Sequence, residues 1–322
     1  MAIVAAVGAL QSVIVMVVLA LFLALGLNPL VEWVQRRGVP RGLAVALVAL
    51  ALIGVLGLGI WAVLPVMTEQ VNALLNNLPG YLAELRQNAA LAELDARFQI
   101  IERATTLITD GRWIEGFFGG ILGAGVVLVN VVFNVFITMV LTLYFLSSLP
   151  AIKKIVYELA PASRRTRATY LADQMFDRIG GYVGGLFLVV ALAGTVSFIY
   201  FTIIGLSDLA LALAVIVMIC WFIPLIGPTL ATICVAIVAF SLSIPTGIAA
   251  ALFLIVYMQF DVYVNQPRIF SRSVSVPGAV VVLAALSGGL LFGIAGAVLA
   301  IPVAASLLLL YREVLIPALD RS

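Results

Sequence analysis

From Ile3 to Leu27 the chain carries no charged side chain, and such runs recur at Gly42–Leu64, Gly119–Ser147 and Gly184–Ile204. A helix needs about 20 predominantly apolar residues to cross the hydrocarbon core of a bilayer. Four runs of that kind leave little room for a water-soluble fold. The sequence as a whole is 64% hydrophobic and 10% charged. Soluble domains carry about 25% charged residues, and their surfaces cannot hide this much apolar area. The expected fold is therefore an all-α, multi-pass membrane protein with about seven to nine membrane segments.

The punctuation of these runs sets the expected organisation. Asn28-Pro29 is read as the end of the first span, because proline disfavours helix in the residue before it. The basic turn Arg36-Arg37-Gly38-Val39-Pro40-Arg41 follows, and the second span stops at Pro65, so 1–66 forms an N-terminal two-helix unit. Residues 67–118 break the apolar pattern. Leu91, Leu94, Phe98 and Ile101 recur at helical steps among eleven acidic and basic residues, which predicts an amphipathic extracytoplasmic insert, either packed down or acting as a lid. The segment 119–180 combines a third span with a basic stretch, Lys153 to Arg178, in which Ser163 is the expected cap of a helix ending near Gly180. Basic loops stay in the cytoplasm. Both basic segments then lie inside and the insert outside. The first run lacks the basic start of a signal peptide. It reads as a true span with its N-terminus outside, which leaves open a natural start upstream.

The C-terminal unit, 181–312, holds the features that bear on mechanism. Leu209–Phe222 and Thr229–Ser243 are each too short to span, at roughly 22 Å of helix. Pro224-Leu225-Ile226-Gly227-Pro228 joins them. A second pair flanks the glycine-rich stretch containing Ser287, Gly288, Gly289, Gly293 and Gly296. Hairpins at 208–243 and 277–311 would enter the membrane from opposite sides. Paired, interrupted segments in opposed repeats point to a transporter's binding site. The other reading is a set of ordinary kinked spans.

Few polar side chains interrupt the apolar helices. Asn130, Asn134 and Thr138 share one helical face, suited either to bonding a neighbouring helix or to lining a pore. Asp208 stands where it can cap the first hairpin arm. Tyr257, Gln259, Asp261, Tyr263, Asn265 and Gln266 form a dense polar cluster followed by Pro267 and Arg268. A carboxylate at a span's end is expensive unless paired or wetted. Asp261 is thus open to two roles, an ion pair with Arg268 or the coupling of a solute, proton or cation. Cys220 and Cys234 lie in apolar runs and read as small hydrophobes. With no histidine in the chain, a usual His/Cys metal site is not expected, a Ser-His hydrolase is excluded, and no phosphate-binding loop of an ATPase appears. The net charge of +2 gives no sign of nucleic-acid binding. A carboxylate dyad of Asp208 and Asp261, a channel and a scaffold remain as lesser alternatives to a secondary transporter.

Several motifs together resemble the autoinducer-2 exporter family, also called the PerM-type permeases. They are Asn28-Pro29-Leu30-Val31-Glu32-Trp33 with the basic turn, Leu78-Pro79, Ile223-Pro224-Leu225-Ile226-Gly227-Pro228, Gln259-Phe260-Asp261-Val262-Tyr263-Val264-Asn265-Gln266-Pro267-Arg268-Ile269, and Gly289, Gly293, Gly296 and Pro302. Many members carry Glu where Asp261 stands. The resemblance implies export of an autoinducer-2-like polar solute across the bacterial inner membrane, with Na⁺/H⁺ antiport as the alternative. It also implies a homo-oligomer, with a pentamer as the working expectation. No cofactor is expected beyond a coupling Na⁺ or H⁺.

Overall fold

The computed structural model describes residues 2–55, 57–63, 120–270 and 277–319. The insert expected at 67–118 and the Leu78-Pro79 motif lie outside the described residues. Among the described residues every regular element is helical.

Helix α1 spans Ala2–Gln35, α2 Arg41–Val63, α3 Gly120–Glu158 and α4 Arg165–Ile203. Helices α5 (Ser207–Trp221) and α6 (Gly227–Leu242) are short. Helix α7 (Ile244–Phe260) continues through a π-turn, Asp261–Asn265, into α8 (Gln266–Phe270). Helix α9 (Gly278–Leu310) is followed by a second π-turn, Tyr311–Leu315, and α10 (Ile316–Leu319). Six stretches among the described residues are long and apolar enough to cross a membrane, with α5 and α6 as shorter apolar helices.

The break expected at Pro29 is absent. Helix α1 runs through Pro29 and α3 through Pro150. A proline removes one hydrogen bond from the ladder and leaves the carbonyl four residues earlier without its partner. In hydrocarbon, leaving the helix altogether would expose many more backbone groups, so the helix continues and neighbours absorb the defect. For Pro150 the freed carbonyl is Leu146, and it accepts a hydrogen bond from Arg41 Nη2 at 2.7 Å. For Pro29 it is Leu25, against which α4 packs so closely that a Cβ on Gly180 would lie 2.9 Å from the Leu25 oxygen. Helix α4 correspondingly does not end near Gly180. Gly26 and Gly180 are the small residues that let the α1 and α4 backbones meet. Nor does Ser163 cap α4. The cap is Arg164, without a side-chain hydrogen bond, after a short 3₁₀ turn.

Both short pairs fold back as hairpins. In hairpin 1 the tip between α5 and α6 is closed by Ile223 N–H bonding Cys220 O at 2.8 Å and Gly227 N–H bonding Ile223 O at 2.9 Å. Leu225 takes a left-handed backbone, φ 69°. Gly227 has no alternative, since a Cβ there would sit 2.0 Å from the Cys220 oxygen. In hairpin 2, α9 breaks at Phe292 and Gly293, the latter at φ 64°, ψ −153°, where only glycine is comfortable. Residues 288 and 296 would be about 12 Å apart along a straight helix. Instead a Cβ on Gly288 would lie 2.4 Å from the Gly296 oxygen, so the chain has reversed. The reversal falls inside the glycine-rich stretch expected to form the tip. Ser287, Gly288 and Gly289 belong to the incoming arm and Gly296 to the outgoing arm, where Gly288 and Gly296 make the crossing point rather than the tip.

The core is built in three adjoining patches. Phe201, Leu213, Val217, Val235 and Leu254 bind α4, hairpin 1 and α7 together. Tyr200 and Phe253 stack there with ring centroids 3.8 Å apart. Phe22, Tyr182, Val183, Ala285 and Leu299 join α1, α4 and hairpin 2. Ala24, Val31, Ala44 and Leu146 join α1, α2 and α3. Large apolar side chains such as Leu290 and Ile203 are exposed, as suits a lipid-facing surface.

Candidate functional site: a cavity between two hairpin tips

Helices α1 to α4 and both hairpin tips line an open cavity of about 730 Å³. Helix α1 contributes Gln11, Ser12, Val15, Met16, Leu19, Leu23 and Leu27, and α3 contributes Asn134, Thr138, Met139 and Thr142. Phe222 enters from the tip of hairpin 1, and Leu291, Phe292, Gly293 and Ala295 from the tip of hairpin 2. Irregular backbone at membrane depth is stable only against protein or a water-filled cavity. This cavity gives both tips that surround.

The polar groups lie on two facing walls. Asn134 and Thr138 are one turn apart on α3, and Thr142 continues the same stripe with its hydroxyl donating to Thr138 O at 2.7 Å. Asn130, one turn earlier, is exposed and lies off the lining. Opposite, Gln11 Nε2 donates to Leu291 O at 2.6 Å and so ties α1 to the tip of hairpin 2. None of the described lining residues is charged. The site offers amide and hydroxyl groups on an apolar wall, a surface suited to an uncharged polar solute of modest size.

Asp261 lies elsewhere. It is 1% exposed, at the first position of the π-turn that follows α7. Pro267 explains the turn. It lacks an N–H, and the ladder shifts by one residue ahead of it, so that Gln266 N–H bonds Asp261 O. The same spacing recurs where Tyr311–Leu315 precedes Pro317. The Asp261 carboxyl accepts three hydrogen bonds, from Trp221 Nε1 at 3.2 Å, Asn265 Nδ2 at 3.2 Å and Gln266 Nε2 at 3.0 Å. Tyr257 is buried one turn earlier, its ring 6.0 Å from that of Trp221. Gln259 and Arg268 are exposed. The cluster is thus a set of neutral donors around a buried carboxyl, and its partner across the fold is Trp221, the last residue of α5.

Asp208 lies in the first turn of α5 without a side-chain capping bond, while Asp261 meets the last residue of α5. Thirteen residues of helix, about 20 Å, separate those two ends. The carboxylate pair considered for a hydrolase does not assemble. Among the described residues no cluster of three metal-ligating side chains occurs.

The sequence profile of the AI-2E family transporter group matches residues 1–315 of this chain. The chain belongs to that family. Relatives from this family span most of its length. YrrI of Bacillus subtilis is 25% identical over 307 residues, covering 92% of this chain and 85% of its own. MT0215 of Mycobacterium tuberculosis is 29% identical over 314 residues, covering 92% and 81%. YhhT of Escherichia coli K12 is 23% identical over 314 residues, covering 93% and 84%. All three carry names that assign them to transport without specifying a cargo. Membership makes this AI-2E-family chain a multi-pass membrane protein of a transporter family.

Proposed function

We propose that the chain is a secondary transporter that exports a small, uncharged, autoinducer-2-like polar solute across the bacterial inner membrane. The observation that carries this reading is the cavity between the two hairpin tips, with Gln11, Asn134, Thr138 and Thr142 in its walls and no charge among its described lining residues. Amides and hydroxyls can exchange hydrogen bonds with a polyhydroxylated solute. A lone cation would find no counter-charge there. The two tips are the elements whose movement would open the cavity to one side or the other. A homo-oligomer, a pentamer in the first instance, is part of the same proposal.

The test is flux of radiolabelled erythritol, an uncharged four-carbon polyol, and of autoinducer-2 itself from proteoliposomes. Saturable flux that Thr138→Val and Asn134→Leu reduce supports the reading. Flux that never saturates would make the protein a channel, and no flux of either solute would refute the proposal.

One observation favours a second reading, Na⁺/H⁺ antiport. A buried carboxyl among apolar helices, as at Asp261, is the usual mark of an ion or proton pathway in a membrane. An entrapped pH-sensitive dye, with and without a sodium gradient, separates the two. Sodium-dependent proton movement that Asp261→Asn abolishes would establish coupling at this residue. Solute flux without proton movement would leave the carboxyl a structural anchor.

A further inference from the structure

A second cavity, of about 440 Å³, lies on the other side of the hairpin 1 tip. Its walls include Trp221, Ile223, Pro224 and Leu225 of the tip, together with Gln266 and Phe270. Consecutive tip residues therefore face different spaces. Trp221 and Ile223 line the second cavity, while Phe222 between them lines the first. Helix α4 divides in the same way, with Phe187 on the first cavity and Leu186 on the second. The Phe187 and Phe222 rings meet edge to face, centroids 5.4 Å apart. The tip and this aromatic contact are the partition between two adjoining cavities.

A buried directional bond holds the partition from the far side. Trp221, 4% exposed, donates its indole N–H to Asp261, which Asn265 and Gln266 hold in place. The left-handed Leu225 stores local strain in the same tip. Breaking that hydrogen bond would release one buried anchor of a strained loop.

We propose that the hairpin 1 tip is a gate between two solute stations, the second being the cavity beside Gln266, and that the Trp221–Asp261 hydrogen bond is the latch that keeps it closed. This rests on the reading of the first cavity as the solute site. Trp221 and Asp261 act here as positioning residues; in the closed state neither needs to touch the solute. Tyr182 and Gln266 are polar side chains in the wall of the second cavity, which suits it to the same uncharged solute.

The test uses the purified full chain in proteoliposomes, with Cys220→Ala and Cys234→Ala as background and Ile223→Cys as reporter on the tip. The rate of modification by a small, water-soluble methanethiosulfonate reads how often the partition opens. Trp221→Phe keeps the ring and removes only the donor. Removing the donor strands a buried acceptor, a loss worth about tenfold in an equilibrium, so Trp221→Phe should raise the modification rate about tenfold. Asp261→Asn, which keeps an acceptor, should raise it less, and Asp261→Ala as much as Trp221→Phe. Combining Trp221→Phe with Asp261→Ala should add nothing further. Erythritol leak should rise in step with the modification rate. An unchanged modification rate in Trp221→Phe, with the protein still monodisperse on size exclusion, overturns the latch. Additive effects in the double variant overturn it as well. If the wild type carries no erythritol or autoinducer-2 while the modification rates follow the predicted order, the latch stands and the solute assignment falls. If the wild type carries solute and Trp221→Phe changes neither readout, the gate falls and the transport reading stands.

Discussion

Replacing Gly296 by alanine should prevent hairpin 2 from closing. A methyl group there would lie 2.1 Å from the Gly288 oxygen and 2.5 Å from Phe292 Cβ. Ordinary van der Waals contact begins at 3.4 Å, so the arms would have to part by more than an ångström. The obstacle is backbone, which has no rotamer to escape into. Overpacking a tight interior typically costs 1–3 kcal/mol and sometimes more, and this contact belongs at the upper end, about 3 kcal/mol. Gly288→Ala should behave alike, since its Cβ would meet the Gly296 oxygen at 2.4 Å. Gly289→Ala supplies the control on the adjacent position, because its nearest neighbour, Ala297 Cβ, is 3.7 Å away. Thermal unfolding of the detergent-purified protein, read by fluorescence-detected size exclusion, should show large losses for Gly288→Ala and Gly296→Ala and none beyond about 0.5 kcal/mol for Gly289→Ala. Equal melting temperatures for all three would refute the fold-back of α9.

Three further outcomes follow from the same geometry. Arg41→Ala leaves the Leu146 carbonyl, already stripped of its ladder partner by Pro150, without a donor, and should destabilise by roughly 1–3 kcal/mol in the same melting assay. Gly227→Ala should disrupt the hairpin 1 tip, because its Cβ would collide with the Cys220 oxygen, and maleimide labelling of Cys220 should accelerate in the folded fraction. Gln11→Leu removes the bond to Leu291 O, so solute flux should change while the melting temperature moves by about 1 kcal/mol equivalent or less.

The two hairpins were legible because their signal is local. Arms too short to span, joined by Pro-x-x-Gly-Pro or by clustered glycines, imply reversal before any contact is known, and the observed bounds 207–242 and 278–310 lie within one residue of those expected. The roles of the individual glycines at the second reversal were less legible, because glycine serves two purposes there. Gly293 supplies a backbone conformation, whereas Gly288 and Gly296 supply close approach, and the sequence does not say which does which. Pro29 misled for a different reason. The rule that proline ends helices comes from water, where a freed carbonyl can be hydrated; here α1 continues through Pro29 packed closely on α4, and Arg41 bonds the carbonyl freed by Pro150. The polar stripe of Asn134 and Thr138 was visible through its four-residue spacing. Gln11 was not, since one amide in an apolar run has no period, and neither was Trp221, whose bond to Asp261 crosses forty residues of chain.

The central claim, that the space between the two tips is the solute site, is tested most directly by saturation of autoinducer-2 flux in proteoliposomes containing wild type, Thr138→Val or Asn134→Leu. Thr138→Val removes a hydroxyl from the cavity wall at nearly constant volume, and Asn134→Leu removes the amide one turn away. The account predicts a half-saturating concentration raised about tenfold in either variant, the equivalent of one lost hydrogen bond of about 1.4 kcal/mol, with unchanged melting. Unchanged saturation in both variants, in protein of normal stability, would contradict it and move the solute path away from this cavity.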